Sequence, residues 1–151
     1  MRNEILVLNG PNLNALGRRE PEKYGSTTLA DLEKQWREWA AHNGVAIRCE
    51  QSNHEGVLLD LLHQAEEEEQ VAAVVFNPGA LTHTSRALRD GIASLTIPVI
   101  EIHISNIAAR EEWRRHSVVA EVCAGSIAGF GTAGYLLALK AALILTGRES
   151  C

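Results

Sequence analysis

The sequence predicts a doubly wound α/β domain, three layers deep, around a parallel sheet of five strands. Five short apolar runs, most of them β-branched, alternate with segments of helical spacing along the chain. The connections between them are short. Continuous β-branched runs suit strands covered on both faces, and alternation with helices implies right-handed crossovers and a parallel sheet. That pattern makes the expected fold flavodoxin-like.

The runs at residues 4–8, 45–49, 72–76, 99–104 and 117–123 are the expected strands. Leu29, Leu32, Trp36 and Ala40 recur at three- and four-residue steps. Thr27 and Thr28 stand at the start of that segment and Asn43-Gly44 at its end, so it reads as an amphipathic helix with its own start and stop signals. Leu58, Leu61, Leu62 and Ala65 repeat the pattern, as do Leu88, Ile92 and Leu95. Residues 135–145 are apolar nearly all round, which suits a helix packed deep in the core or against another subunit. The acidic run at 66–69 reads as a solvated helix end.

A length of 151 residues suits a single domain spanning 1–151, and 46% hydrophobic with 22% charged residues excludes disorder as the main state. Nineteen acidic against 14 basic side chains, a net charge of -5, argue against a surface dedicated to nucleic acid or an anionic membrane. No apolar run is long enough to cross a bilayer, and the first residues lack a basic then apolar leader pattern, so a cytoplasmic protein is expected. Cys49, Cys123 and Cys151 have no C-x-x-C spacing and read as two core thiols and a tail residue. The six histidines show no metal-ligand spacing, and no metal is expected.

Ligands of doubly wound sheets bind outside the carboxyl ends of the strands. The residues expected there are Asn9-Gly10-Pro11-Asn12, residues 51–55, residues 77–83 and His103-Ile104-Ser105-Asn106, all rich in short polar or imidazole groups. Four such loops meeting on one edge would make a concave polar site. A G-x-G-x-x-G match at 129–134 falls in the last strand-to-helix connection, without a later strand to complete a dinucleotide unit, and reads as close helix packing.

The connection at 16–25, with Arg18, Arg19 and Tyr24, is long for its place and reads either as a solvated loop or as a lid. A phenol serves as a base near neutrality only when cations stabilise the phenolate. His103 reads equally as a core histidine or as a general acid oriented by Glu101, two residues earlier on the same strand face. Arg110, Arg114 and Arg115 suit a carboxylate or vicinal hydroxyls, so an acidic or polyhydroxylated small substrate fits. A binding module for a nucleotide or regulatory phosphate is a second reading, although the first loop lacks the Ser/Thr/Gly content of a flavin-phosphate site. A hydrolase is a third, without an identifiable nucleophile and base.

Asn9-Gly10-Pro11-Asn12-Leu13-Asn14, the Leu16-Gly17 and Arg19-Glu20-Pro21 pairings, Tyr24-Gly25, Gln51-Ser52-Asn53, Asn77-Pro78-Gly79-Ala80 with Thr82-His83, and Glu101-Ile102-His103-Ile104-Ser105-Asn106 closely resemble the type II 3-dehydroquinate dehydratases, almost end to end. The resemblance implies dehydration of 3-dehydroquinate to 3-dehydroshikimate, the third step of the shikimate pathway. It implies a flavodoxin-like subunit in a homododecamer, a tetramer of trimers, without cofactor or metal. By similarity, Tyr24 is the proton acceptor, Arg19 stabilises its phenolate, Asn12 helps stabilise an enolate through an ordered water, and His103 is the proton donor. Asn77, His83 and Arg114 would hold substrate hydroxyls, and Ile104 and Ser105 the carboxylate. Asp90 matches a position that reaches the site across a subunit boundary. Ala15 and Ala108 depart from the family pattern, where a larger apolar residue and a histidine are usual.

Overall fold

Five parallel strands pair in the order β2-β1-β3-β4-β5. They are β1 (Glu4–Asn9), β2 (Ala46–Gln51), β3 (Val71–Asn77), β4 (Val99–His103) and β5 (Gly125–Ala128). The computed structural model describes residues 1–149, the side chains of Lys23 and Tyr24 excepted. Among them, a short helix α1 (Pro21–Tyr24) precedes α2 (Leu29–His42), and α3 (Glu55–Glu67), α4 (Arg86–Ala93) and α5 (Gly134–Leu145) follow.

Side-chain alternation on the strands sorts the core into two layers. Ile5, Val7, Ala73, Val75, Ile100 and Ile102 face α2 and α5, while Leu6, Leu8, Val74, Phe76 and Val99 face α3 and α4. The result is the expected three-layer flavodoxin-like fold. Burial of β3 is complete along its length, because it lies in the middle of the sheet with both faces covered. Helix α2 starts where its sequence signals place it. Thr28 Oγ1 accepts from the Asp31 N–H at 3.2 Å, and the Thr28 N–H donates to the Asp31 carboxylate at 3.0 Å.

The fifth strand is not where the apolar run at 117–123 suggested. Those residues form an irregular segment with a single 3-10 turn at Ala120–Val122, and they bury Val119 against the α3–α4 layer. The segment satisfies its backbone partly outside any ladder, the Val118 N–H donating to Thr82 O at 2.7 Å. The strand itself is Gly125–Ala128, an edge strand paired only to β4 and largely open, so it needs few apolar residues.

The acidic run also does more than face solvent. Glu66 accepts from the backbone N–H groups of Thr96 and Ile97 at 2.9 and 3.2 Å, and Glu68 meets Arg48 at 2.5 Å, which in turn reaches Glu4 at 3.1 Å. The end of α3 is thereby tied to the entry of β4 and to the sheet edge. Burial pushes the thiols of Cys49 and Cys123 up to about 12, so both stay protonated, and Cys151 lies outside the described residues.

Helix α5 buries Tyr135, Ala138, Leu139, Ala142 and Leu143 in one core layer but leaves Leu137 and Leu145 about half exposed. The glycine-rich stretch before it serves packing. A Cβ on Gly134 would stand 2.7 Å from Ile102 Cδ1, so the helix start descends onto β4.

Gly10, just after β1, is required for a similar reason. An added Cβ would stand 2.6 Å from the carbonyl oxygen of Pro78, because the loops after β1 and β3 touch there. Gly10→Ala is expected to cost about 1–3 kcal/mol in urea unfolding. Gly56→Ala on α3, where the added carbon meets nothing within 4 Å, should stabilise by about 0.5–1 kcal/mol.

Candidate active site

The strand order reverses between β1 and β3, and such a switch point opens a crevice beyond the carboxyl ends of the strands. A cavity of about 230 Å³ lies among the loops that follow β1, β3 and β4. The first loop contributes Pro11, Asn12, Leu13, Leu16 and Arg19, and the second Asn77, Gly79, Ala80 and His83. His103, Ile104, Ser105, Ile107, Arg110 and Arg114 come from the third.

Three of the four expected loops therefore converge, and the fourth plays another part. The loop after β2 buttresses the one after β1. Asn53 Oδ1 accepts from the Asn12 N–H at 2.9 Å, and Gln51 Nε2 donates to Gly10 O at 3.2 Å. Those bonds hold Asn12 at φ 73°, a left-handed conformation that asparagine tolerates better than most residues.

Buried behind the lining residue His103 is Glu101, 1% exposed. An unpaired carboxylate there would be costly. This one is surrounded by donors: His103 Nε2 at 2.6 Å, Ser117 Oγ at 2.8 Å, Ser126 Oγ at 3.2 Å and the Thr82 hydroxyl. Burial alone would raise its pKa, but the hydrogen bonds from His103 and Thr82, the charge of His103 and the bond from Ser117 outweigh that effect and hold it below the ordinary glutamate value. An ionised carboxylate only accepts, so His103 carries hydrogen on Nε2 and Nδ1 is left as the ring atom away from Glu101.

Three arginines and two histidines line the cavity, and no aspartate or glutamate is among its described lining residues. His83 Nδ1 lies 2.8 Å from His116 O, and the His83 ring meets Trp113 edge-on at 5.4 Å. The Arg114 guanidinium lies over the Trp113 ring, 3.9 Å from its centre, while its Nε donates to Glu111 at 2.5 Å. The pocket is thus polar and cationic, with an imidazole backed by a carboxylate. It can bind a small anion and protonate a group set against His103.

Of the sequence-predicted residues, Asn12, Arg19, Asn77, His83, His103, Ile104, Ser105 and Arg114 line this one cavity. Tyr24 closes α1 in the β1–α2 connection, and its side chain lies outside the described residues. Asp90 does not join them. It is exposed on α4, paired with Arg89 at 3.1 Å. Sequence reading missed Thr82, Ser117 and Ser126 as partners of Glu101. Its own signal was available, since a glutamate inside an apolar strand needs donors from its neighbours. It also missed the hydrogen-bonded chain that runs from Asn77 through Tyr135 to Asn9. Among the described residues no group of three or more His, Cys, Asp or Glu side chains comes together in a way that would hold a metal ion.

The sequence matches the Dehydroquinase class II family over residues 3–143. It is 57% identical to a 3-dehydroquinate dehydratase of Pelotomaculum thermopropionicum over 144 residues, covering 95% of this chain and 99% of the relative. Identity to a catabolic 3-dehydroquinase of Aspergillus flavus is 55% over 139 residues, covering 92% and 91%. The crystal structure of a type II dehydroquinase from Butyrivibrio crossotus superposes with a TM-score of 0.90 at 43% identity, covering 93% of this chain and 97% of that one.

The depressed pKa of Glu101 has a defined sign in pH-dependent folding. The unfolded carboxyl titrates near pH 4.3 and the folded one below its ordinary value, so the stabilisation is complete above about pH 4.3 and is lost as pH falls through the folded value. Glu101→Gln should unfold more readily than the parent at pH 7, and equilibrium denaturation should show the difference shrinking steadily below about pH 4.

Proposed function

The chain belongs to the dehydroquinase class II family and dehydrates 3-dehydroquinate, and we propose that its pocket does so through an enolate, yielding 3-dehydroshikimate in the shikimate pathway. The observation that carries the reading is a cationic cavity at the sheet's switch point in which His103 is held against a buried, ionised Glu101.

Removing the proton on the carbon beside a ketone leaves negative charge on the carbonyl oxygen, so the protein must supply a base, a stabiliser and an acid. Tyr24 is the base. Its phenol would ordinarily titrate near 10, and Arg19, five positions earlier in the same connection, favours the phenolate. Asn12 stabilises the enolate through a water. His103 then gives a proton to the departing hydroxyl, which leaves as water while the enolate electrons form the new carbon–carbon double bond. Glu101 keeps the imidazole oriented for that transfer. No cofactor or metal is required by this sequence of steps.

Asn77, His83 and Arg114 hold the substrate hydroxyls, and Ile104 and Ser105 the carboxylate. The absence of acidic side chains among the described lining residues supports an anionic substrate. Closure of the connection bearing Arg19 and Tyr24 would exclude water and bring the base to the substrate. Residues 1–151 act as one domain, and the enzyme works in the cytoplasm as a homododecamer, a tetramer of trimers. Support for association comes from the half-exposed Leu137 and Leu145 of α5 and from Phe130, 64% exposed. The exposed position of Asp90 on α4 is compatible with its reaching the site of a neighbouring subunit.

Incubation of the chelator-treated protein with 3-dehydroquinate should produce a rising ultraviolet band from the conjugated enone acid, insensitive to borohydride. Tyr24→Phe should abolish turnover while substrate still binds in calorimetry, and His103→Ala should lower kcat by about 10²–10⁴-fold. Near-normal turnover in either variant would remove that residue from its role. Sedimentation at equilibrium should give the mass of twelve subunits.

A further inference from the structure

Asn77 ends β3 and is 4% exposed, yet both ends of its amide are committed inside the protein. The Gly79 backbone N–H, which can only donate, meets Asn77 Oδ1 at 3.1 Å. Asn77 Nδ2 is therefore the end that donates to the Tyr135 hydroxyl, at 2.8 Å. With its oxygen accepting there, the Tyr135 O–H donates to Asn9 Oδ1 at 2.6 Å. One backbone amide thus sets the polarity of a chain that links the ends of β1 and β3 to the first turn of α5. Asn9 and Tyr135 are both 0% exposed. Burial pushes the Tyr135 phenol up, so it remains a neutral donor.

Asn9 Nδ2 is buried without a partner among the described residues. An apolar residue at position 9 would avoid that cost. What asparagine does supply there is an acceptor for Tyr135. The tyrosine ring is held by independent means, packed against Trp36 with ring centres 4.4 Å apart on a helix whose start Gly134 lets down onto Ile102.

We propose that Tyr135 and Asn9 are positioning residues that act through Asn77, locking its amide so that the second Nδ2 hydrogen meets a substrate hydroxyl. The inference rests on the reading that Asn77 contacts 3-dehydroquinate. It assigns α5, the helix farthest along the chain and otherwise part of the core, a part in substrate recognition.

Steady-state kinetics of Tyr135→Phe, which deletes one oxygen and keeps the ring on Trp36, test it in the assembled enzyme. KM for 3-dehydroquinate should rise about fivefold, with kcat within about twofold of the parent. In an Asn77→Ala background the same substitution should add nothing further to KM. Asn9→Leu provides a second route, removing the acceptor, and its KM should rise in step. A lower Tm with KM unchanged in Tyr135→Phe, while Asn77→Ala raises KM, would overturn the positioning role and leave Asn77 as a substrate contact. Unchanged KM in Asn77→Ala would overturn the reading of Asn77 and the inference with it. Equal KM increases with and without Asn77 would show Tyr135 acting elsewhere, which also overturns it.

Discussion

A carboxylate placed inside a parallel sheet has to be surrounded by donors, and that requirement organises one end of this molecule. Glu101 is 1% exposed and collects hydrogen bonds from Thr82 after β3, Ser117 in the irregular segment, Ser126 on β5 and His103 on its own strand. Each donor comes from a different stretch of chain, so satisfying one charge brings four stretches into register. The apparent oddity of residues 117–123, apolar but not a strand, follows from this. Ser117 turns inward to Glu101 and caps the Val119 and Ala120 N–H groups, which is incompatible with an extended ladder.

The second constraint is the close approach of the loops after β1 and β3. Gly10 touches Pro78, the Gly10 N–H donates to Asn77 O at 2.7 Å, and the loop after β2 supports Asn12 from the other side. Polar side chains at strand ends are thus of two kinds, those that face the cavity and those that hold its walls. Asn12 and Asn77 belong to the first kind, Gln51, Asn53 and Asn9 to the second, and Tyr135 of α5 joins the second from outside the sheet. Arg19, which lines the cavity, and Tyr24, the base in the proposed reaction, both lie further along the connection between β1 and α2.

The alternation of strands and helices was legible because each periodicity is local: β3 and α2 announce themselves through their own residues. So were the eight cavity residues named beforehand, since residues after the strands of a parallel sheet share one edge and the family resemblance picks out individuals among them. The position of β5 was not legible. An edge strand with one partner and open faces carries little apolar signal, whereas a buried irregular segment carries a strong one. Glu66 and Glu68 looked like solvated charge for a related reason, because their partners Thr96, Ile97 and Arg48 are remote in sequence.

What the sequence determined by itself was the class of fold, the family and the chemical types gathered at the strand ends, because those depend on periodicity and on residue identity at short range. Only the tertiary structure decided which polar groups meet. Beyond the Glu101–His103 pair that strand alternation predicts, that Glu101 is shared by Thr82, Ser117 and Ser126, and that Tyr135 reaches back to Asn9 and Asn77, depends on distances of a few ångströms between residues as many as 126 positions apart. Hydrogen bonds are short and directional, so no local pattern encodes those between remote residues, which exist only after the layers have packed.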